Sequence, residues 1–102
     1  MAYKLVWTKL ARRDLRGIVQ YIARNNPEAA RQVGESILVS VELLRENPGL
    51  GRKVPERDDE SIREIIRGNY RIIYRSAEDP KTIQLWRIWH GARGEPDLQA
   101  VS

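Results

Sequence analysis

Residues 61–90 read SIREIIRGNYRIIYRSAEDPKTIQLWRIWH, and the fold turns on how this stretch is paired. Apolar β-formers alternate with arginines along it, and two turn signals interrupt it. The first is Gly68-Asn69, a two-residue pair suited to a tight hairpin because glycine accepts φ > 0. The second is the polar segment Ser76 to Lys81, which holds Pro80. The pattern predicts three antiparallel strands: Ile62 to Arg67, Tyr70 to Arg75 and Thr82 to His90. Symmetric closure of the turns sets Arg67 opposite Tyr70, Ile66 opposite Arg71 and Glu64 opposite Ile73. Across the second turn it sets Arg75 opposite Thr82 and Arg71 opposite Trp86.

Directly opposed side chains share a face. One face then carries Ile65, Tyr70, Ile72, Tyr74, Ile83, Leu85 and Trp89, with Arg63, Arg67 and Arg87 towards its margins. The other carries Ile62, Ile66, Ile73, Trp86 and Ile88, together with Glu64, Arg71, Arg75 and His90. A slip of one residue exchanges the two sets.

Upstream, Tyr3 to Trp7 forms a short strand with Tyr3, Leu5 and Trp7 on one side. Thr8 is placed to cap a helix in which Ala11, Leu15, Ile18, Val19 and Ile22 recur at helical spacing. Asn25-Asn26-Pro27 ends that helix and opens the next, with Asn26 as N-cap and Pro27 at the first helical position. The second helix runs from Pro27 to about Glu46, with an apolar stripe of Ala30, Val33, Ile37, Val41 and Leu44. Gly17 and Gly34 lie inside the helices, either where the two approach closely or as tolerated surface positions. Asn47-Pro48-Gly49 stops the second helix, and the polar loop Leu50 to Glu60 leads into the strands.

The expected fold class is therefore α+β, in the order β-α-α-β-β-β, with a helical hairpin packed on one face of a small antiparallel sheet. A chain of 102 residues is read as one domain, residues 1–102. The helices cover the face with Tyr70, Ile72, Tyr74, Ile83 and Leu85. Ile62, Ile66, Ile73, Trp86 and Ile88 on the opposite face are left as an apolar patch rimmed by charge, which predicts a partner.

Composition narrows the function. Lys plus Arg number 18 against 14 acids, a net charge of +4, which favours an anionic partner. No cysteine and a single histidine leave no ligand cluster for a metal, and no glycine-rich phosphate cradle is present. No cofactor is expected. No apolar run is long enough for a signal peptide or a bilayer span, so the expected location is cytoplasmic.

The ordered pieces resemble the RelE/ParE superfamily of toxins from bacterial type II toxin–antitoxin systems, and the ParE branch in particular. They are Val6-Trp7-Thr8 followed by Ala11 and Asp14-Leu15, Tyr21-Ile22-Ala23, and Asn47-Pro48-Gly49 through Gly51-Arg52. Tyr70-Arg71-Ile72-Ile73-Tyr74-Arg75 and the ending Trp89-His90-Gly91-Ala92-Arg93 complete the set, which spans nearly the whole chain. The resemblance implies a growth-inhibiting toxin, associated with plasmid stabilisation, that is held in a hetero-oligomer by a cognate antitoxin. Ile62, Ile66, Ile73, Trp86 and Ile88 become its expected antitoxin contacts.

Two mechanisms follow from the resemblance. In the ParE-like reading the protein inhibits DNA gyrase by binding it, with no chemistry of its own. In the RelE-like alternative it is a metal-independent endoribonuclease, an mRNA interferase that cuts ribosome-bound mRNA. Such cleavage needs a base for the 2′-OH, a cation for the phosphate and an acid for the leaving oxygen. The positions that resemble those of nuclease members are Glu56, Arg71 and His90, although Gly91 stands where some of them carry an aromatic residue. Arg52, Lys53, Arg75 and Arg93 are the expected target or nucleic-acid contacts. Each site residue also has a structural reading. Arg71 can pair with Glu64, His90 can cap a strand end, and Trp86 can pack rather than stack on a base. A third class, a small basic module for RNA or DNA, has too few exposed aromatic residues on the sheet to be the primary reading.

Overall fold

Thr8 joins the first strand to the first helix. Its backbone is extended (φ −70°, ψ 160°), and its hydroxyl accepts from the Ala11 amide at 3.1 Å, as an N-cap does. The same oxygen lies 2.8 Å from the Leu85 carbonyl, so the cap is also tied to the last strand. In the computed structural model, which describes residues 2–98, this junction links β1 (Lys4–Trp7) to α1 (Lys9–Ala23). Asn26 caps α2 (Pro27–Leu44) in the same way, accepting from Ala29 at 3.0 Å with Pro27 at the helix start. The chain continues through β2 (Arg52–Lys53), β3 (Ile62–Arg67), β4 (Tyr70–Glu78), β5 (Lys81–His90) and a single 3₁₀ turn (Gly91–Arg93). The expected order is present, with the two-residue β2 added from within the polar loop.

The strands form one sheet in the order β1-β5-β4-β3-β2. All neighbours are antiparallel except β1, which runs parallel to β5. The helices pack on one face around Ile37, Val41, Leu44, Ile65, Ile72, Tyr74, Ile83, Leu85 and Ile88. Tyr3 is buried in that cluster, and Leu5 and Trp7 pack against it, as the alternation of β1 requires. Gly34 allows close approach of α1, since a Cβ there would meet Val19 Cγ2 at 3.3 Å. Gly17 serves no such purpose, because a Cβ there would find no neighbour within 4 Å.

The first hairpin has the expected register, with Arg67 opposite Tyr70, Ile66 opposite Arg71 and Glu64 opposite Ile73. Gly68 takes φ 57° at the first loop position, the conformation for which glycine is favoured in hairpins.

The second hairpin differs from expectation. The strands continue through Ser76 and Ala77 and close at Glu78 opposite Lys81 around Asp79-Pro80. Arg75 therefore faces Gln84, not Thr82, a slip of two residues that leaves the faces unchanged. A bulge then intervenes. Ile73 pairs with Arg87 and Tyr74 with Leu85, so Trp86 has no partner across the ladder. That extra residue inverts the alternation beyond it. Arg71 faces Trp89 rather than Trp86, and Tyr70 faces His90. Ile88 joins the helix-side core, Trp89 moves to the second face, and His90 stands on the side opposite Arg71.

The second face is also closed, contrary to the expected open patch. Val54 from the polar loop and Leu98 from the tail pack on Ile62, Ile73, Trp86 and Trp89 in a second buried cluster. Of the five residues expected to contact an antitoxin, Ile62, Ile73, Trp86 and Ile88 are buried by the chain itself, and Ile66 alone stays exposed. The loop and tail lack periodicity but each supplies one well-placed apolar side chain, which is enough for a face this small. Among the described residues no helix is long and apolar enough to cross a membrane.

Candidate functional site

Glu64 lies at the centre of a charged network on the second face. The alternation that points Ile65 at the helices turns Glu64 the other way, where its side chain is wholly buried. Burial of a carboxylate requires paired cations. Arg71 donates through Nε to one Glu64 oxygen, and Arg52 donates through Nε to the other at 2.8 Å. Arg71 then turns its two terminal nitrogens to Glu56, at 2.7 and 3.0 Å, in the parallel fork geometry that guanidinium and carboxylate share. Glu56 is thereby held below the usual carboxylate range, first by the hydrogen bonds from Arg71. The guanidinium of Arg71 is held firmly protonated by the same pairing. The loop that carries Glu56 is anchored by Val54, whose amide donates to the Ile62 carbonyl and whose side chain is buried.

Of the three residues matched to nuclease positions, Glu56 and Arg71 are therefore in contact, and His90 is on the other side of the sheet. His90 packs edge-on to Tyr70 at 5.2 Å, and its Nδ1 accepts from the Ala92 amide at 3.0 Å, which caps the terminal turn. Both structural readings from sequence, Arg71 on Glu64 and His90 at a strand end, are present.

The four basic residues are spread out. Arg52 and Lys53 form the edge strand β2, where Arg52 holds Glu64 and Lys53 pairs with Asp58 at 3.0 Å. Arg75 is exposed on β4, opposite Ile62 and Gln84. Arg93 follows β5, and its guanidinium lies 3.9 Å over the Trp89 ring, a cation–π arrangement. The four do not make one patch.

Asp14 is a structural residue that the sequence showed only as part of a short match. It accepts from Arg87 at 2.7 and 2.9 Å and from the Ile88 amide at 3.0 Å. β1 ends opposite Leu85, so the β5 edge beyond is open, and Asp14 of α1 satisfies its amide where a strand would otherwise be needed. Arg87 also lies 4.9 Å from the Trp89 ring.

A second site flanks His90. Arg13, Asp14, Gly17, Ile18 and Tyr21 of α1 face Tyr70, Ile88, His90 and Arg93 across a cleft of about 480 Å³. Arg13, Gly17 and Tyr21 follow one another at four-residue spacing, which aligns them on one side of the helix. That spacing was available in the sequence, but nothing marked the row as facing a cavity.

Known proteins bear out the architecture. The model of the family described as ParE toxin of type II toxin-antitoxin system, parDE, matches residues 5–94. Toxin RelE1 of Caulobacter vibrioides is 26% identical over 91 residues, which cover 89% of this chain and 96% of that protein. A chain of the chromosomal ParDE system from P. aeruginosa superposes with a TM-score of 0.70 at 25% identity, covering 87% of this chain and 96% of its own. A chain of the RelBE2 toxin–antitoxin complex from Mycobacterium tuberculosis shares the fold, with a TM-score of 0.59 at 23% identity over 88% of this chain and 99% of its own. With the family match spanning the helical hairpin and the whole sheet, the chain belongs to the ParE toxin family of type II toxin–antitoxin systems.

Proposed function

We propose that this toxin acts by binding DNA gyrase, not by cutting mRNA, and that a cognate antitoxin neutralises it in a hetero-oligomer. The observation that carries the reading is the state of Arg71. A guanidinium that clamps phosphate must have free N–H groups, and Arg71 commits three of its five N–H donors, one on each nitrogen, to Glu56 and Glu64. Glu56, held below the ordinary carboxylate range by Arg71, is a poor base for a 2′-OH proton. His90, across the sheet, cannot act on the same phosphate as Arg71 without rearrangement of β5. The ParE family match supports the same branch.

An antitoxin partner is supported by the relatives, two of which come from toxin–antitoxin complexes or systems. With the second sheet face closed, the exposed apolar side chains available to it include Leu38, Val39 and Leu43 on α2, with Leu50 and Ile66 beyond the helices. Exposed cations such as Arg75 and Arg93 remain for the target.

The test compares two assays on the purified full-length protein. Inhibition of gyrase-catalysed supercoiling, with no cutting of ribosome-bound mRNA, is the expected result. Cleavage of translated mRNA that disappears in both Arg71→Lys and His90→Ala would replace this reading with the endoribonuclease.

A further inference from the structure

We propose that the cleft between α1 and the end of β5 is a nucleotide-binding site, with the phosphate on Arg13 and Arg93 and the base in the notch above Gly17. The inference goes beyond gyrase inhibition and does not depend on it.

Three observations carry it. The first is Gly17. Glycine inside a helix lowers stability relative to alanine, and no neighbour requires it, since a Cβ would meet nothing within 4 Å. Gly34, the other helical glycine, is accounted for by contact with Val19. What Gly17 does is leave a gap between Arg13 and Tyr21 in one row of side chains, and that gap opens into the cleft.

The second is the wall. Tyr21 is 71% exposed, with the Arg24 guanidinium 5.8 Å from its ring centroid, so much of this large aromatic residue is open to a ligand. Tyr70 and His90, in edge-to-face contact, stand across from it, and Ile18 and Ile88 complete the lining. Planar and apolar walls of this kind accept a base, which offers a π-face whatever its sequence. His90 uses Nδ1 to hold Ala92, which leaves Nε2 for a ligand.

The third is charge. Among the described residues no carboxylate pairs with Arg13, and Arg93 meets only an aromatic ring. The one acid in the lining, Asp14, is neutralised by Arg87, so the cleft keeps a positive balance suited to a phosphate. Its volume of about 480 Å³ falls within the range of roughly 300–1,000 Å³ common for small-ligand sites.

The experiment titrates the full-length protein with 5′-AMP, adenosine, inorganic phosphate, phosphotyrosine and a short single-stranded oligonucleotide, followed by NMR shifts of the His90 and Tyr21 rings. AMP is expected to bind at least about tenfold tighter than adenosine or phosphate alone, because both halves of the site are engaged. Gly17→Leu fills the notch without changing charge, and should weaken AMP by about tenfold or more while leaving the urea midpoint equal or higher. Arg13→Gln, which keeps the notch, should erase the preference for AMP over adenosine. Oligonucleotide binding that is sensitive to Gly17→Leu, with free AMP ineffective, would identify a nucleic-acid strand as the source of the nucleotide. Where no oligonucleotide binding sensitive to Gly17→Leu is found, AMP no tighter than inorganic phosphate would overturn the assignment, as would AMP affinity unchanged in both variants or phosphotyrosine binding tighter than AMP. Supercoiling inhibition by Gly17→Leu is scored separately, so failure here and failure of the gyrase reading give different results.

Discussion

Arg71 and Glu56 are joined by two parallel hydrogen bonds, Nη2 to Oε1 at 2.7 Å and Nη1 to Oε2 at 3.0 Å. This pair fastens the polar loop to the middle of the sheet, and its second carboxylate partner, Glu64, lies beneath it without contact to solvent. The arrangement is a structural network built from residues whose types also suit catalysis.

Removing Arg71 should therefore cost fold stability before it affects any activity. Arg71→Ala leaves Glu56 unpaired and Glu64 with Arg52 alone, and breaking one partner from a buried ion pair costs about 3–5 kcal/mol. Glu56→Gln keeps an acceptor for Arg71 and should cost about 1 kcal/mol. Urea unfolding of the two variants, beside wild type, gives the comparison. Equal losses would show that Glu64 does not depend on Arg71.

The same pair sets a dependence on acidity. Glu56 has its folded-state value depressed below the ordinary 4.5 by Arg71. A depressed carboxylate contributes stability that is complete above its unfolded value and disappears as pH falls through its folded value. Stability should therefore decline on acidification below about pH 4.5, and the decline should be shallower in Glu56→Gln. Urea midpoints across the acid range, measured for both proteins, check the sign and the difference.

Asp14→Asn tests the tie between α1 and β5. Asparagine can still accept from one donor, but it leaves the charge of Arg87, a residue only 8% exposed, without its counter-ion. A loss of about 3 kcal/mol is expected. Amide exchange at Ile88 should accelerate, because its N–H bonds to the Asp14 carboxylate and not to a neighbouring strand. Exchange at Ile83, deep in the β1–β5–β4 ladder, is the internal control.

Gly51→Ala should be among the more damaging single substitutions. A Cβ at Gly51 would lie 2.8 Å from the carbonyl carbon of Glu64 and 2.8 Å from the Tyr74 hydroxyl, and backbone cannot yield easily. The Gly51 amide donates to that hydroxyl at 2.9 Å, and the hydroxyl donates to the Pro48 carbonyl at 2.7 Å. Overpacking of this kind costs about 1–3 kcal/mol. Tyr74→Phe, which removes the hydroxyl without the clash, should cost about 1–3 kcal/mol through the unsatisfied buried amide. Thermal or urea unfolding of both variants separates the clash from the lost hydrogen bonds.

Local chemistry was legible in the chain. Thr8 and Asn26 announce helix starts, Gly68 announces a hairpin, and the helical and strand periods of Ala11 to Ile22 and Ile62 to Arg75 assign the core face without knowledge of the rest. These depend on interactions over a few residues, for which sequence spacing is a faithful guide. Two features were not legible. The bulge at Trp86 depends on how β5 meets both β4 and the capping Thr8, and one added residue inverted the positions of Ile88, Trp89 and His90. The closing of the second face depends on where Val54 and Leu98 come to rest, and segments without a period carry no record of their destination. Candidate-site geometry fell in the same class. Glu56 and Arg71 came together across 15 residues and His90 was turned away, because face and contact at long range are set by ladder register and packing, which no short window of residues contains.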